Sequence, residues 1–142
     1  MLALSTSVIS IIQTYLVGEG IVTEPSDGGD WPLYTSHLPD VIGDCGAIYD
    51  RSGKLDGKLS NGEVISHPGI QLSIRSDDYE TGYAKAEAIA LLLDGVNKET
   101  VVIGTDSYLL QNVSRAAFII SNIDAKRRFL FMVNFLVTLK KL

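Results

Sequence analysis

Side chains that commonly do chemistry are scattered in this chain of 142 residues. His37 and His67 lie beside prolines in loop-like contexts, and neither has a partner at metal-ligand spacing. The sequence has no cysteine pair, no Gly-x-Ser-x-Gly motif and no glycine-rich phosphate loop that ends in Gly-Lys-Ser/Thr. We therefore expect no catalytic residue, no metal site and no cofactor.

Lys85 and Glu87 come nearest to a nuclease site, which needs separated carboxylates beside a lysine. No upstream acidic residue is obviously aimed at them, so we interpret both as parts of a solvated helix face. A calcium loop within residues 50–63 is disfavoured, because Ser52 and Lys54 occupy positions where alternating acids are required. An enzyme is thus the least favoured class of protein.

Charge is unevenly distributed along the chain, whose net charge is −5. Residues 1–50 contain seven acids and no Lys or Arg, whereas residues 51–142 contain ten acids and twelve bases. This balance argues against tight binding to nucleic acid, which requires Lys and Arg to neutralise phosphates. The single cysteine, Cys45, fits a reducing compartment, and we interpret it as a small buried hydrophobe.

The apolar start of the sequence does not predict a secretory signal peptide. The first basic residue is Arg51, so the basic region that opens such a peptide is missing. No apolar run is as long as a membrane span. We expect no association with a membrane.

The clearest structural signal lies in Gly69–Gly95. Ile70, Leu72 and Ile74 alternate with polar residues, which predicts a half-buried strand. A helix follows, with Asp77 as the predicted N-cap and Gly95 as a left-handed residue after its end. Its predicted apolar stripe consists of Tyr83, Ala86, Ile89, Ala90 and Leu93.

The remaining chain predicts one helix and several strands in a single domain, 1–142. Residues 2–17 have helical periodicity with a polar but uncharged side, which we expect to be partly covered. Short strands are predicted at 31–37 and around 45–49, and longer ones follow the central helix. Residues 50–63, rich in turn dipeptides, are predicted to form a projecting flexible loop.

The last segment, 127–142, is the longest predicted strand. One of its faces is apolar and the other is partly apolar, so we expect both to be covered, one by helices and one by a neighbouring subunit. Strands outnumber helices and occur in runs. This order predicts an α+β fold whose mostly antiparallel sheet carries the N-terminal and central helices on one face.

These features together resemble a family of small phage neck proteins. They are a strand that ends in Arg75, the acidic-aromatic turn Asp77-Asp78-Tyr79-Glu80, an Ala-rich helix that closes on Leu93-Asp94-Gly95, and a basic-then-apolar last strand with Asn134. The pattern is similar to the tail terminator proteins of long-tailed bacteriophages, also called minor capsid or tail completion proteins. Residues 50–63 look longer than that family's pattern.

The resemblance implies a structural role in the virion. Such proteins form a ring, typically a hexamer, that caps the tail tube, ends its polymerisation and joins it to the head connector. The implied partners are further copies of the chain, the tail tube protein and a connector or stopper protein. DNA would pass through the ring without specific binding. The implied location is the virion tail or neck, with the host cytoplasm as the site of assembly.

Five charged or aromatic residues stand where a subunit interface would need them: Arg75, Asp78, Tyr79, Arg127 and Arg128. Solubility and helix capping are the alternative interpretation of each. If Arg75 contacts a neighbour, reversing its charge should impair assembly more than folding. Two other functions remain open. The chain could be another neck component, such as a head completion or stopper protein, or a cellular α+β interaction module.

Overall fold

A computed structural model describes residues 6–58, 60, 64–117 and 119–142. Over these residues the chain forms two helices, α1 (Val8–Gly18) and α2 (Tyr79–Asp94), and a short 3-10 turn at Pro25–Asp27. Seven strands form one sheet: β1 (Leu33–Thr35), β2 (Cys45–Lys58), β3 (Val64–Ser76), β4 (Asn97–Ile103), β5 (Asp106–Arg115), β6 (Ile120–Ile123) and β7 (Phe129–Lys141). The predicted α+β class with a mostly antiparallel sheet is confirmed.

Strand β7 is the centre of the sheet. The strand order is β1-β2-β3-β7-β5-β4, and β6 also pairs with β7. β3 lies along one edge of β7, and β5 and β6 pair with successive parts of its other edge. Among the paired strands that are described, β1 and β2 alone run parallel. The last segment of the chain therefore joins the two halves of the sheet.

Both helices pack on the same face of the sheet. Apart from Ile11 of α1, which packs with Val101 and Tyr108, their buried hydrophobic side chains belong to one cluster with the inward residues of β3 and β7. On β7 these residues alternate strictly, as a strand with one buried face requires. The shared cluster includes Ile9, Ile12, Leu16, Ile70, Leu72, Ile74, Ile89, Leu93, Phe131, Val133, Phe135 and Val137.

Helix α2 begins one residue later than the sequence predicts. Asp78 is the N-cap, and its Oδ2 accepts from the backbone N–H of Thr81 at 2.9 Å. Asp77 was the wrong choice of cap. Gly95 does follow the helix, but its φ is −84°, so the predicted left-handed conformation is wrong. Tyr83 is half-exposed, and the neighbouring Gly82 takes its place against the core.

The predicted loop at 50–63 is largely a strand. β2 continues to Lys58 and pairs with β3 as far as Val64, with irregularities that begin after Arg51 and Leu55. The Asp56-Gly57 dipeptide lies within this irregular strand instead of forming a turn. Residues 59 and 61–63 lie outside the described part. The turn signals were misleading because bulges in a strand also accommodate such residues.

The N-terminal helix is shorter than predicted. α1 begins at Val8, after the N-cap Ser7, and residues 2–5 of the predicted range lie outside the described part. Its uncharged polar side is partly covered as expected, because Gln13 donates to the Leu33 carbonyl oxygen at 2.6 Å. The strand predicted at 31–37 is reduced to β1, and Trp31 adopts a positive φ of 55°.

Gly82 allows α2 to approach β7 closely. A Cβ at this position would lie 2.5 Å from Phe131 Cε2 and 3.0 Å from Ser76 Cβ. We expect Gly82→Ala to destabilise the chain, because overpacking costs about 1–3 kcal/mol. The higher helix propensity of alanine recovers only about 1 kcal/mol of that cost. Urea unfolding should show a lower midpoint. Gly95→Ala is the control, since its Cβ meets nothing nearer than 3.5 Å; an equal loss in both variants would contradict this account.

Candidate assembly surfaces

Arg75 is buried under a loop of its own chain. Its side chain is on the sheet face opposite the helices, where Cys45 and Leu130 are its neighbours in register. Nη2 donates to the carbonyl oxygens of Pro39 at 2.8 Å and Val41 at 3.0 Å. Only 3% of the residue is exposed, so the side chain that the sequence suggested for a subunit interface is covered by its own chain.

Arg128 holds the same loop from the β6–β7 hairpin. Its Nη1 donates to Asp40 Oδ1 at 2.9 Å and to the Val41 carbonyl oxygen at 3.3 Å. Lys126 forms a further ion pair with Asp40. Arg75 and Arg128 thus converge on one carbonyl group. We call residues 38–44 the clasped loop.

Asp124 organises the turn that positions Arg128. Its Oδ1 accepts from the backbone N–H groups of Lys126 and Arg128, both at 2.9 Å, and its Oδ2 lies 2.8 Å from Arg128 Nη2. The backbone N–H of Arg128, followed by that residue's side chain, lowers the pKa of Asp124 below its usual value. The predicted interface residue Arg128 is thus already engaged within the chain.

Asp78 and Tyr79 lie together at the start of α2, and both are exposed. Asp78 caps the helix, and the hydrogen bonds from the Thr81 side chain and backbone lower its pKa. The Tyr79 ring makes edge contacts with Phe129 and Phe131, at centroid distances of 5.5 and 5.2 Å. This edge of the core is therefore an exposed aromatic surface.

Arg127 differs from the other two interface arginines because its side chain is exposed. It adopts a positive φ of 61° at the β6–β7 turn, and its backbone N–H donates to the Asp124 carbonyl oxygen at 3.0 Å. Its side chain forms no hydrogen bond or ion pair with the described residues. It is available for a contact with another molecule.

Lys85 and Glu87 do not converge on a site. Lys85 Nζ donates to the Ile21 carbonyl oxygen at 2.6 Å and lies over the Trp31 ring, and burial lowers the Lys85 pKa. Glu87 pairs with Arg115 at 3.4 Å. Both are anchored and half-buried, so the interpretation as a solvated helix face is wrong. Cys45 is free and buried as predicted, and burial raises its thiol pKa.

A cavity of about 430 Å³ lies between residues 29–32 and 41–44. Asp30 and Asp44 are the ionisable residues in its lining, which includes no nucleophile or basic group. Across the described residues, no group of three or more His, Cys, Asp or Glu side chains is arranged to hold a metal ion. None of the helices in the described ranges is long and apolar enough to cross a membrane.

The centre of the sheet face opposite the helices is uncharged, while Arg51, Arg75 and Lys140 lie on the same face at its margins. Residues directly opposite each other in a sheet share a face, so the register defines the members of this surface. The β7 members are half-buried. We call this surface the open face: Ala47, Tyr49, Gln71, Ser73, Asn112, Ser114, Ile120, Asn122, Leu130, Met132, Asn134, Leu136 and Thr138.

Asn134 leaves a polar atom unsatisfied on the open face. It stands opposite Gln71 in register, and its Oδ1 is buried without a hydrogen-bond partner among the described residues. Such an atom costs about 1–3 kcal/mol in free energy. A donor from another molecule would remove that cost.

Sequence reasoning missed the clasped loop because its contacts are long-range. Asp40 contacts Lys126 and Arg128, more than eighty positions later in the chain. One local signal was present, since Val41 and Ile42 are β-branched apolar residues in a segment otherwise typical of turns. Ile42 is fully exposed.

Comparison with known families gives a match. A family model described as "Bacteriophage tail terminator protein" matches residues 15–141. The chain belongs to this family. A search of curated proteins gave no match.

Membership makes the chain a structural protein of the bacteriophage tail. It confirms the resemblance found in the sequence, and it places the chain in a non-enzymatic kind of protein. A tail terminator family also implies contacts with other components of the tail and virion. The roles of the five predicted interface residues stay predictions.

The tail terminator chain should depend on Arg75 for folding. Arg75→Met removes the donor to Pro39 and Val41, and we expect it to lower the free energy of unfolding by about 1.5–3 kcal/mol. Arg127→Met is the matched control and should change it by less than about 0.5 kcal/mol. Chemical denaturation measures both. Equal stability of Arg75→Met and wild type would show that the buried contacts are unimportant.

Asp124 should contribute stability that depends on pH. Its folded-state pKa is lowered, so its contribution is present above the unfolded pKa of about 3.9 and is lost as pH falls through the folded value. We expect Asp124→Asn to be less stable than wild type at pH 7 and the difference to shrink below about pH 4. Thermal unfolding across this range measures it, with exposed Asp77→Asn as control. A difference that is independent of pH would contradict the assignment.

Proposed function

We propose that this protein caps the completed phage tail tube as a ring, ends tube polymerisation and joins the tail to the head connector. The observation that carries the proposal is the family match over residues 15–141. The tail tube protein and a connector or stopper protein are the proposed partners, besides further copies of this chain. Assembly would take place in the host cytoplasm.

The surfaces of the chain support a ring. A ring made of identical subunits needs two different contact surfaces on each subunit. The open face is uncharged, and the unpartnered Asn134 Oδ1 lies within it. The helix side differs, with exposed Tyr79 and Tyr83 at one end. One copy therefore offers two chemically distinct surfaces to its neighbours, with a hexamer as the proposed number.

The charge balance is compatible with DNA passage through the ring. The chain carries a net charge of −5. A lumen rich in basic residues would bind phosphates and slow the DNA. We propose passage without specific binding.

Electron microscopy of phage particles made without this protein tests the function. We expect tails of abnormal or variable length that are not attached to heads, and normal particles when wild-type protein is supplied. Tails of normal length without heads would instead identify a stopper or another joining component. Normal tails on normal heads would overturn both roles.

A charge on the open face should prevent assembly without unfolding the subunit. Met132 is half-buried on β7, between Ser73 and Ile120 in register. In Met132→Glu, burial against another copy would desolvate the carboxylate. We expect light scattering to give the monomer mass for this variant and the assembly mass for wild type, with circular dichroism unchanged.

Leu91→Glu is the control for that experiment. Leu91 is 60% exposed on α2, on the other side of the sheet from Met132. It should retain the wild-type mass. If Met132→Glu assembles with the wild-type mass and stability, the open face is not part of the subunit contact.

A further inference from the structure

The clasped loop holds an apolar side chain in solvent. Ile42 is 102% exposed, and its neighbour Val41 is 36% exposed. The segment just before Ile42 is anchored, since Arg75 binds Pro39 and Val41 and Arg128 binds Asp40 and Val41, and strand β2 begins three residues after it at Cys45. Anchoring keeps Ile42 from collapsing onto its own chain. A fully exposed β-branched residue on a fixed loop is suited to enter a pocket of a partner.

A recess of about 330 Å³ lies beside the aromatic end of the core. Tyr79 and Phe129 form its aromatic wall, and Ile123 supplies a further apolar surface. Tyr79 and Ile123 are themselves partly exposed, at 41% and 57%. Ser121 and Asn122 complete the lining. The recess has the size and the apolar character to receive an aliphatic side chain.

The two features lie on opposite faces of one end of the sheet. Arg75, which the clasped loop covers, shares its face with Leu130. Phe129 and Ile123 are opposite each other in register and occupy the other face. Ile42 of one copy is therefore on the side away from its own recess. If two copies stack in the same orientation, Ile42 of one copy faces the recess of the other.

Charges around the two features set the orientation of such a contact. Beside Ile42, Asp40 is neutralised by Lys126 and Arg128, which leaves Asp44 and the exposed Asp30 as nearby acids. The β6–β7 turn joins the strands that line the recess, and it exposes Arg127. Asp77 and Asp78 directly precede Tyr79 of the recess at the start of α2. Attraction to Arg127 and repulsion from Asp77 and Asp78 favour one approach of the acidic loop.

We propose that Ile42 of one copy inserts into the recess formed by Tyr79, Ile123 and Phe129 of the next copy. This inference rests on the proposed ring and identifies one of its subunit contacts. Different surfaces meet at each contact, so the arrangement is heterologous and can close a ring when it is repeated. Arg127 and Tyr79 would then act at the interface, and Arg75 would act only by holding the loop.

Chemical cross-linking of mixed single-cysteine variants tests the contact. Ile42→Cys and Ser121→Cys place thiols on the loop and at the recess, where Ser121 shares a face with Phe131 in register, and a short bis-maleimide would join them. We expect a cross-linked dimer when the two variants are mixed and none from either alone. The double variant should give a ladder of covalent oligomers. Wild type reports any reaction of the buried Cys45, and Ile42→Cys mixed with Leu91→Cys reports random collisions.

The outcomes separate this contact from the ring itself. If the wild type assembles and the mixed variants give no product above the Leu91→Cys control, the contact is wrong while the ring stands. A product from Ile42→Cys alone would indicate a two-fold contact and also overturn the proposal. Wild type that stays monomeric, both free and on purified tails, would remove ring and contact together. Ile42→Ser should reduce the assembled fraction at least tenfold at equal concentration, with unchanged thermal stability.

Discussion

The constraint on which the structure depends is that β7 has apolar residues on both faces while the described chain supplies helices for only one. The helix side buries Phe131, Val133, Phe135 and Val137 in the main core. The opposite side leaves Met132 and Leu136 half-buried. β7 also pairs with β3, β5 and β6, so it cannot rotate to bury its other face without breaking the hydrogen bonds of the sheet. The open face is therefore a built-in consequence of the fold, and a neighbouring copy is the cover that we propose for it.

Long-range polar contacts decide which parts of the surface are fixed. Arg75 lies in β3 and Arg128 lies in the turn just before β7, yet both bind the carbonyl group of Val41. These two arginines hold in place a loop whose sequence is typical of turns. Arg75 and Arg128 were predicted as interface residues from the sequence, but the contacts seen here stabilise their own subunit. The apolar Ile42, on the loop that they hold, is the side chain that reaches solvent. Of the three arginines predicted at the interface, the exposed one is Arg127, which lies in the same hairpin as Arg128.

Periodicity predicted the parts of the fold in which local pattern and burial agree. The alternation of β3 and β7 and the stripe of α2 were sufficient for the α+β class, with both helices on one face. Prediction failed where distant residues decide the outcome. Residues 50–58 are a strand because β3 pairs with them, and Gly82 replaces Tyr83 in the core because Phe131 lies against the helix. For the same reason, sequence identified Arg75 and Arg128 as important but could not find the loop that both of them hold.

We propose that this member of the tail terminator family sits as a cap on the tail tube. The most direct measurement is immunogold labelling of isolated tails with an antibody to this protein, viewed by electron microscopy. We predict label at one end of each tail, the end that joins the head, and no label along the tube. Label distributed along the tube, or only at the far tip, would contradict the claim.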